Sequence, residues 1–148
     1  IPRLQAWYGE SHCRYSYSGL ELAPIPLFSE LEQLKTIAEE LSTSRFNCVL
    51  CNLYRDGNDS VAWHADDEPE LGRNPTIASY SFGASRRFLI KPKQGKQKAK
   101  AIVLPDNSLL IMSGAMQHHW IHQLPKTKQP VGARINLTFR FIRPDLQS

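Results

Sequence analysis

Beyond residue 45 the chain is a succession of short segments of strand character, at 46–54, 61–66, 76–82, 86–91, 100–104, 108–112, 119–122 and 134–140. Between them lie Asp56-Gly57-Asn58-Asp59, Gly83-Ala84-Ser85, Pro105-Asp106-Asn107 and Ser113-Gly114, residue types that supply turn dihedrals. A parallel pair needs a crossover of a dozen or more residues, usually a helix, whereas an antiparallel pair needs only a turn. About eight strands without intervening helices therefore dictate a mainly β fold. Its antiparallel sheets are expected to close into a jelly roll.

A single helix precedes the strands. Ser29-Glu30-Leu31-Glu32 has the spacing of a capping box, with Ser29 as the cap. Leu31, Leu34, Ile37, Ala38 and Leu41 follow at helical period on one face. This predicts a buttress against a sheet, with no chemistry of its own.

The strongest alternation is Arg134-Ile135-Asn136-Leu137-Thr138-Phe139-Arg140. It puts Ile135, Leu137, Phe139 and Phe141 on one face and Arg134, Asn136, Thr138 and Arg140 on the other. Two guanidinium forks suited to carboxylates share the polar face. Their backbones lie roughly 20 Å apart along the strand, so two long side chains reaching inward can bracket a small dicarboxylate.

Val61-Ala62-Trp63-His64-Ala65-Asp66-Asp67-Glu68 gathers one imidazole and three carboxylates. On an extended chain His64 and Asp66 point the same way. A third metal ligand has to come from Gln117-His118-His119-Trp120-Ile121-His122, and two histidines with one carboxylate form the facial set of non-haem Fe(II) oxygenases. Alternation over this stretch pairs His118 with His122 and sets His119 opposite, leaving the third ligand open.

Four signatures occur in order: Asn52-x-Tyr54-x-Asp56-Gly57, His64-x-Asp66, Trp120-x-His122 followed by Leu124-Pro125, and Arg134-x-Asn136-x-Thr138-Phe139-Arg140. Together they make the chain resemble an AlkB-type Fe(II)/2-oxoglutarate-dependent dioxygenase, close to the animal-type nucleic-acid demethylases. The resemblance implies a double-stranded β-helix preceded by a nucleotide-recognition lid over residues 1–26, with buttress helix and jelly-roll core over 27–148 as one domain. It selects His122 as the third iron ligand beside His64 and Asp66. It assigns Asn52, Tyr54, Arg134, Asn136 and Arg140 to 2-oxoglutarate, and Trp7, Tyr15, Tyr17, Asp67, Glu68, Arg86 and Arg87 to substrate. The implied reaction uses Fe(II), 2-oxoglutarate and O2 to demethylate bases such as 1-methyladenine or 3-methylcytosine in DNA or RNA, releasing succinate, CO2 and formaldehyde. Other readings are oxidation of protein side chains on the same fold, or a non-catalytic damage sensor.

Composition narrows the field without choosing. With 41% apolar residues and three tryptophans the chain is not disordered, and no apolar run approaches the roughly 18 residues of a membrane span. A net charge of +4 suits a polyanionic partner. The five lysines of 91–100 mark an exposed connection that is either solvated or on phosphate. Three cysteines, with Cys48 and Cys51 on opposite strand faces, read as buried thiols of a reducing intracellular compartment, nuclear or cytoplasmic. We expect a monomer, and Ile1 in place of a methionine reads as a chain that begins upstream.

Overall fold

The structure, a computed structural model, describes residues 2–17 and 20–146, excluding the side chains of 15–17, 20 and 146. An edge strand β1 (Leu4–Gly9) leads to a small hairpin, β2 (Tyr15–Tyr17) and β3 (Leu20–Leu22), and then to helix α1 (Ser29–Ser42). Eight strands follow: β4 (Cys48–Tyr54), β5 (Val61–His64), β6 (Ile77–Gly83), β7 (Arg86–Pro92), β8 (Lys100–Leu104), β9 (Ser108–Met112), β10 (Trp120–Leu124) and β11 (Arg134–Arg140). A four-residue helix α2 (Met116–His119) immediately precedes β10.

The strands form a five-stranded sheet ordered β1-β4-β11-β6-β9 and a four-stranded sheet ordered β5-β10-β7-β8, with β2-β3 apart. The pairings within these sheets are antiparallel. This is the mainly β architecture that the turn spacing dictates. Interior β4 has β1 on one side and the central β11 on the other, with Arg134 opposite Tyr54, Asn136 opposite Asn52 and Arg140 opposite Cys48. One glycine fixes the far end of this register. Gly83 closes β6 at φ +93, and a Cβ there would stand 2.5 Å from the Ala133 carbonyl oxygen, so a side chain would push Arg134 out of line.

Leu31 and Ala38 of α1 pack on Val49, Ala78, Leu137 and Phe139, the outer face of the large sheet. The helix is a buttress, but its start differs from the capping-box expectation. Phe28 occupies the cap position with no side-chain cap, and its carbonyl already accepts from the Glu32 amide at 3.0 Å. Ser29 is therefore inside the first turn, where its hydroxyl cannot serve as the cap. Ile37 and Leu41 lie exposed beyond the contact.

The expected lid divides in two. Strand β1 belongs to the large sheet through its pairing with β4, whereas β2 and β3 form a separate hairpin. The 119–122 segment is also corrected. Met116–His119 is helical, so strand alternation begins only at Trp120 and says nothing about His118 or His119.

Candidate active site

A cavity of about 540 Å³ lies between the two sheets and takes its lining from both. From the large sheet come Gln5, Leu50, Asn52, Tyr54, Ser79, Arg134, Asn136, Thr138 and Arg140, with Arg3 just ahead of β1. From the small sheet come His64, Phe88, Leu104, His122 and Leu124.

At one end of this cavity His64, Asp66 and His122 bring three ligand atoms within 4.8 Å of one another, the one such group among the described residues. The ladder explains the meeting, because His64 sits directly opposite His122 in the β5–β10 pairing. Asp66 follows two residues beyond His64 and is pinned twice. Its amide donates to Gln117 Oε1 at 2.8 Å, and its Oδ1 accepts from Arg140 Nη2 at 3.0 Å. Burial alone would raise the Asp66 carboxyl, but Arg140, His64 and His122 outweigh it and hold the group below its ordinary value. Burial, helped by His64, pushes His122 down to about 4 against the pull of Asp66.

These states fit a divalent metal, which needs a neutral imidazole and an ionised carboxylate. His64 Nδ1 lies 2.8 Å from the Ala62 carbonyl; a carbonyl only accepts, so the proton is there and Nε2 carries the lone pair. His122 Nδ1 is buried without a hydrogen-bond partner among the described residues. The His122 ring stacks on Phe88 at 5.1 Å, which fixes its plane.

At the other end stands Arg134, with Nη2 donating to Ser81 Oγ at 2.8 Å and its guanidinium 5.2 Å from the centre of the Tyr54 ring. Its Nε has no partner among the described residues. Burial raises the Tyr54 phenol, opposed by Arg134, Arg3 and Arg86. Asn52 Oδ1 accepts from Gln5 Nε2 at 3.0 Å. Asn136 is engaged within the sheet, giving its amide to Ser79 Oγ at 2.7 Å and accepting from Thr138 at 2.8 Å. The five residues expected to meet 2-oxoglutarate thus all line one cavity, with Arg140 beside the metal ligands and Arg134 remote.

The expected substrate residues separate. Glu68 lies at the cavity with its side chain exposed, and Asp67 is exposed beside Lys93 Nζ at 3.5 Å. Arg87 is exposed on the opposite face of β7 from Phe88, outside the cavity lining. The side chains of Tyr15 and Tyr17 lie outside the described residues.

Two expectations are corrected. Trp7 is buried in a cluster with Cys13, Cys48, Leu50, Leu71 and Ile142, and its Nε1 donates to the Cys13 carbonyl at 2.9 Å. Neither ring face is open to a base. Arg86 is buried too, donating to the carbonyls of Asp56 at 3.2 Å, Asp59 at 2.9 Å and Pro125 at 2.8 Å. It ties the β4–β5 turn to the segment after β10, and those donors are not free for phosphate.

Arg3, Gln5 and Gln117 are the residues that sequence reasoning missed. Arg3 donates to the Ser60 carbonyl at 3.0 Å and lines the cavity. The signal for Arg3 and Gln5 was present, since Arg3, Gln5 and Trp7 alternate onto one face. Gln117 had none, because a single glutamine carries no pattern.

An antiparallel jelly roll with two histidines and a carboxylate in its mouth defines a non-haem metal oxygenase. The comparisons are specific. The 2OG-Fe(II) oxygenase superfamily model matches residues 3–140, and the chain belongs to that family. The human alpha-ketoglutarate-dependent dioxygenase alkB homolog 3 is 46% identical over 97% of this chain and 53% of its own length. The mouse DNA oxidative demethylase ALKBH2 is 41% identical over 97% of the chain and 63% of its own length. The chain therefore spans about half to three-fifths of these curated relatives. The solved structure of OsALKBH1 superposes with a TM-score of 0.72, covering 95% of this chain and 78% of that one at 17% identity, which supports the fold. The family's iron and 2-oxoglutarate fit the residues present, through His64, Asp66 and His122 for the metal and the two arginines for the dicarboxylate. No described helix is long and apolar enough to cross a membrane.

Proposed function

We propose that this chain is the catalytic domain of an oxidative demethylase acting on N-alkylated bases in DNA or RNA. The observation that carries the reading is one cavity with the His64, Asp66 and His122 donors at one end and the Arg134 guanidinium at the other. Iron with 2-oxoglutarate and O2 supplies the oxidising power, 2-oxoglutarate leaving as succinate and CO2 and the hydroxylated N-methyl group leaving as formaldehyde.

The chain's residues supply position and charge. Arg140 keeps Asp66 ionised and in place, and Gln117 holds the backbone beneath it. Arg134 receives the distal carboxylate, with Tyr54 against its face, because a fork buried beside a phenol selects a planar anion. Phe88, Leu104, Met112 and Leu124 line the same cavity and exclude water. A base extruded from its stack enters past Glu68, whose carboxylate accepts from an exocyclic amino group. The family resemblance assigns Tyr17 to stack on that base, an interaction worth about 1–3 kcal/mol. One relative's name is that of a DNA oxidative demethylase, and another's that of an alpha-ketoglutarate-dependent dioxygenase; both support the reading.

The test is formaldehyde release, with succinate counted in parallel, on matched methylated single-stranded and duplex DNA and RNA and on a methylated peptide. Formaldehyde from an oligonucleotide supports the reading. Release from the peptide alone assigns the chain to protein oxidation, and no turnover on any substrate despite metal binding leaves a non-catalytic sensor.

A further inference from the structure

The two histidine ligands are mounted differently. His64 follows the common arrangement, in which the ring nitrogen away from the metal donates to a backbone carbonyl that fixes tautomer and orientation; here that carbonyl is Ala62, 2.8 Å from Nδ1. His122 has no such mount. Its Nε2 faces Asp66 Oδ2 at 3.9 Å, while Nδ1 is buried with no hydrogen-bond partner among the described residues. The torsion that turns an imidazole about its Cβ–Cγ bond is broad, so a contact other than a hydrogen bond has to hold the plane of this ring.

Two rings lie against it. His64 meets it edge-on, with 4.2 Å between centroids and 62° between planes, but His64 is itself a ligand. Phe88 lies closer to parallel, at 26° and 5.1 Å, and the ladder brings it there. His122 is opposite Ile90 in the β10–β7 pairing, so Phe88, two residues before Ile90, is a diagonal neighbour on the same face and within reach of an aromatic side chain. Phe88 is held from behind in turn. It is buried with Ile77, Leu104 and Met112, residues of β6, β8 and β9, so the stack ties the imidazole to a core cluster drawn from both sheets.

We propose that Phe88 is the positioning residue for His122, its ring standing in for the acceptor that this ligand lacks and so setting how tightly the site holds a divalent metal. The inference rests on His64, Asp66 and His122 being the metal ligands. Stacking fixes the plane of the imidazole but brings no acceptor to its far nitrogen, so it orients the ligand without raising its basicity as a carbonyl would. A side chain at position 88 without a ring therefore loses orientation alone. An imidazole free to turn presents Nε2 to the metal for only a fraction of the time, and the apparent affinity falls by that fraction.

The experiment measures Co(II) binding to the full chain, with affinity read by competition against a chelator and coordination read from the visible absorption of the bound ion. In Phe88→Leu the dissociation constant should rise about 10-fold, the lower end of the range for losing a group behind a metal ligand, and the Co(II) bands should change shape. Phe88→Tyr keeps the ring and should bind Co(II) as the wild type does. Ile77→Val trims the same cluster but places no ring on His122; it should lower Tm and leave affinity and spectrum unchanged. If Phe88→Leu does not fold, Phe88→Met decides in its place, because methionine fills an irregular core gap without a plane to stack. Wild-type affinity and spectrum in Phe88→Leu or Phe88→Met would overturn the proposal, as would equal weakening in Phe88→Tyr or Ile77→Val. A wild-type chain that binds no Co(II) would overturn the metal site itself and this proposal with it.

Discussion

The two faces of β11 reverse the usual distribution of polarity. On the face toward the cavity Arg134 is 3% exposed and Arg140 8%, with Asn136 and Thr138 buried between them. On the other face Phe139 is 0% exposed and Leu137 is buried under α1, but Ile135 is 45% exposed and Phe141 40%. A sheet face is ordinarily buried because it is apolar. Here the polar face is the better enclosed one, because it lines a chamber for charged ligands. Its arginines stay buried by finding Asp66, Ser81 and the Tyr54 ring; burial without such partners would be strongly unfavourable. The apolar face supplies stability only as far as the helix reaches.

The largest expected effect breaks the polar face at its metal end. His122→Ala or Asp66→Ala should lose bound iron and reduce succinate formation by well over 100-fold, since disturbing even the residues behind metal ligands costs about 10- to 100-fold. His119→Ala should be mild. Iron content and succinate measured together check this, and an active His122→Ala protein would mean that the third ligand lies elsewhere.

Next comes the far end of the same face. Arg134→Met should weaken 2-oxoglutarate binding by about 3–5 kcal/mol, in part because the bound carboxylate is left buried without its partner. Arg134→Lys should recover only some of this, since an ammonium returns the charge without the planar fork. Titration of 2-oxoglutarate against metal-loaded protein reads both. Unchanged affinity in the two variants would remove the dicarboxylate argument.

The reversed polarity also accounts for what was legible in the sequence. Strand number, antiparallel class and the one-sided placement of Arg134, Asn136, Thr138 and Arg140 follow from period-2 alternation and turn residues, which are local. His64 and Asp66 were legible for the same reason. His122 required the family resemblance, because α2 interrupts the alternation at His119. Trp7 and Arg86 were misread because burial is a tertiary property. An aromatic in a basic stretch and an arginine at a strand start look the same whether they face solvent or three carbonyls. The bond from the Asp66 amide to Gln117 joins segments far apart in the chain, of which no local pattern gives notice.

On the apolar face the covered end should matter more than the open end. Phe139→Ala removes a ring packed on Phe46 at 6.1 Å between centroids and under α1. It should cost about 3–5 kcal/mol, the usual range for emptying such a site. Loss of iron binding at equal stability would instead indicate that the strand, and with it Arg140, had shifted.

The smallest effect is predicted one turn of the pleat away from the helix. Ile135 pairs with Leu53 on one side and Phe82 on the other, and about half of its surface faces water. Ile135→Thr keeps the β-branch, so the backbone preference is preserved and only apolar contact is lost. Fully burying such a side chain is worth about 1.5–3 kcal/mol, so the half-covered one should cost about 1 kcal/mol. At this chain length that is a fall in Tm of roughly 2–4 °C. Thermal melts of Ile135→Thr and Phe139→Ala, run side by side, measure how far the helix protects the sheet. A loss at Ile135 equal to that at Phe139 would mean that this end of the face is covered in solution, and the contrast between the two ends of β11 would fail.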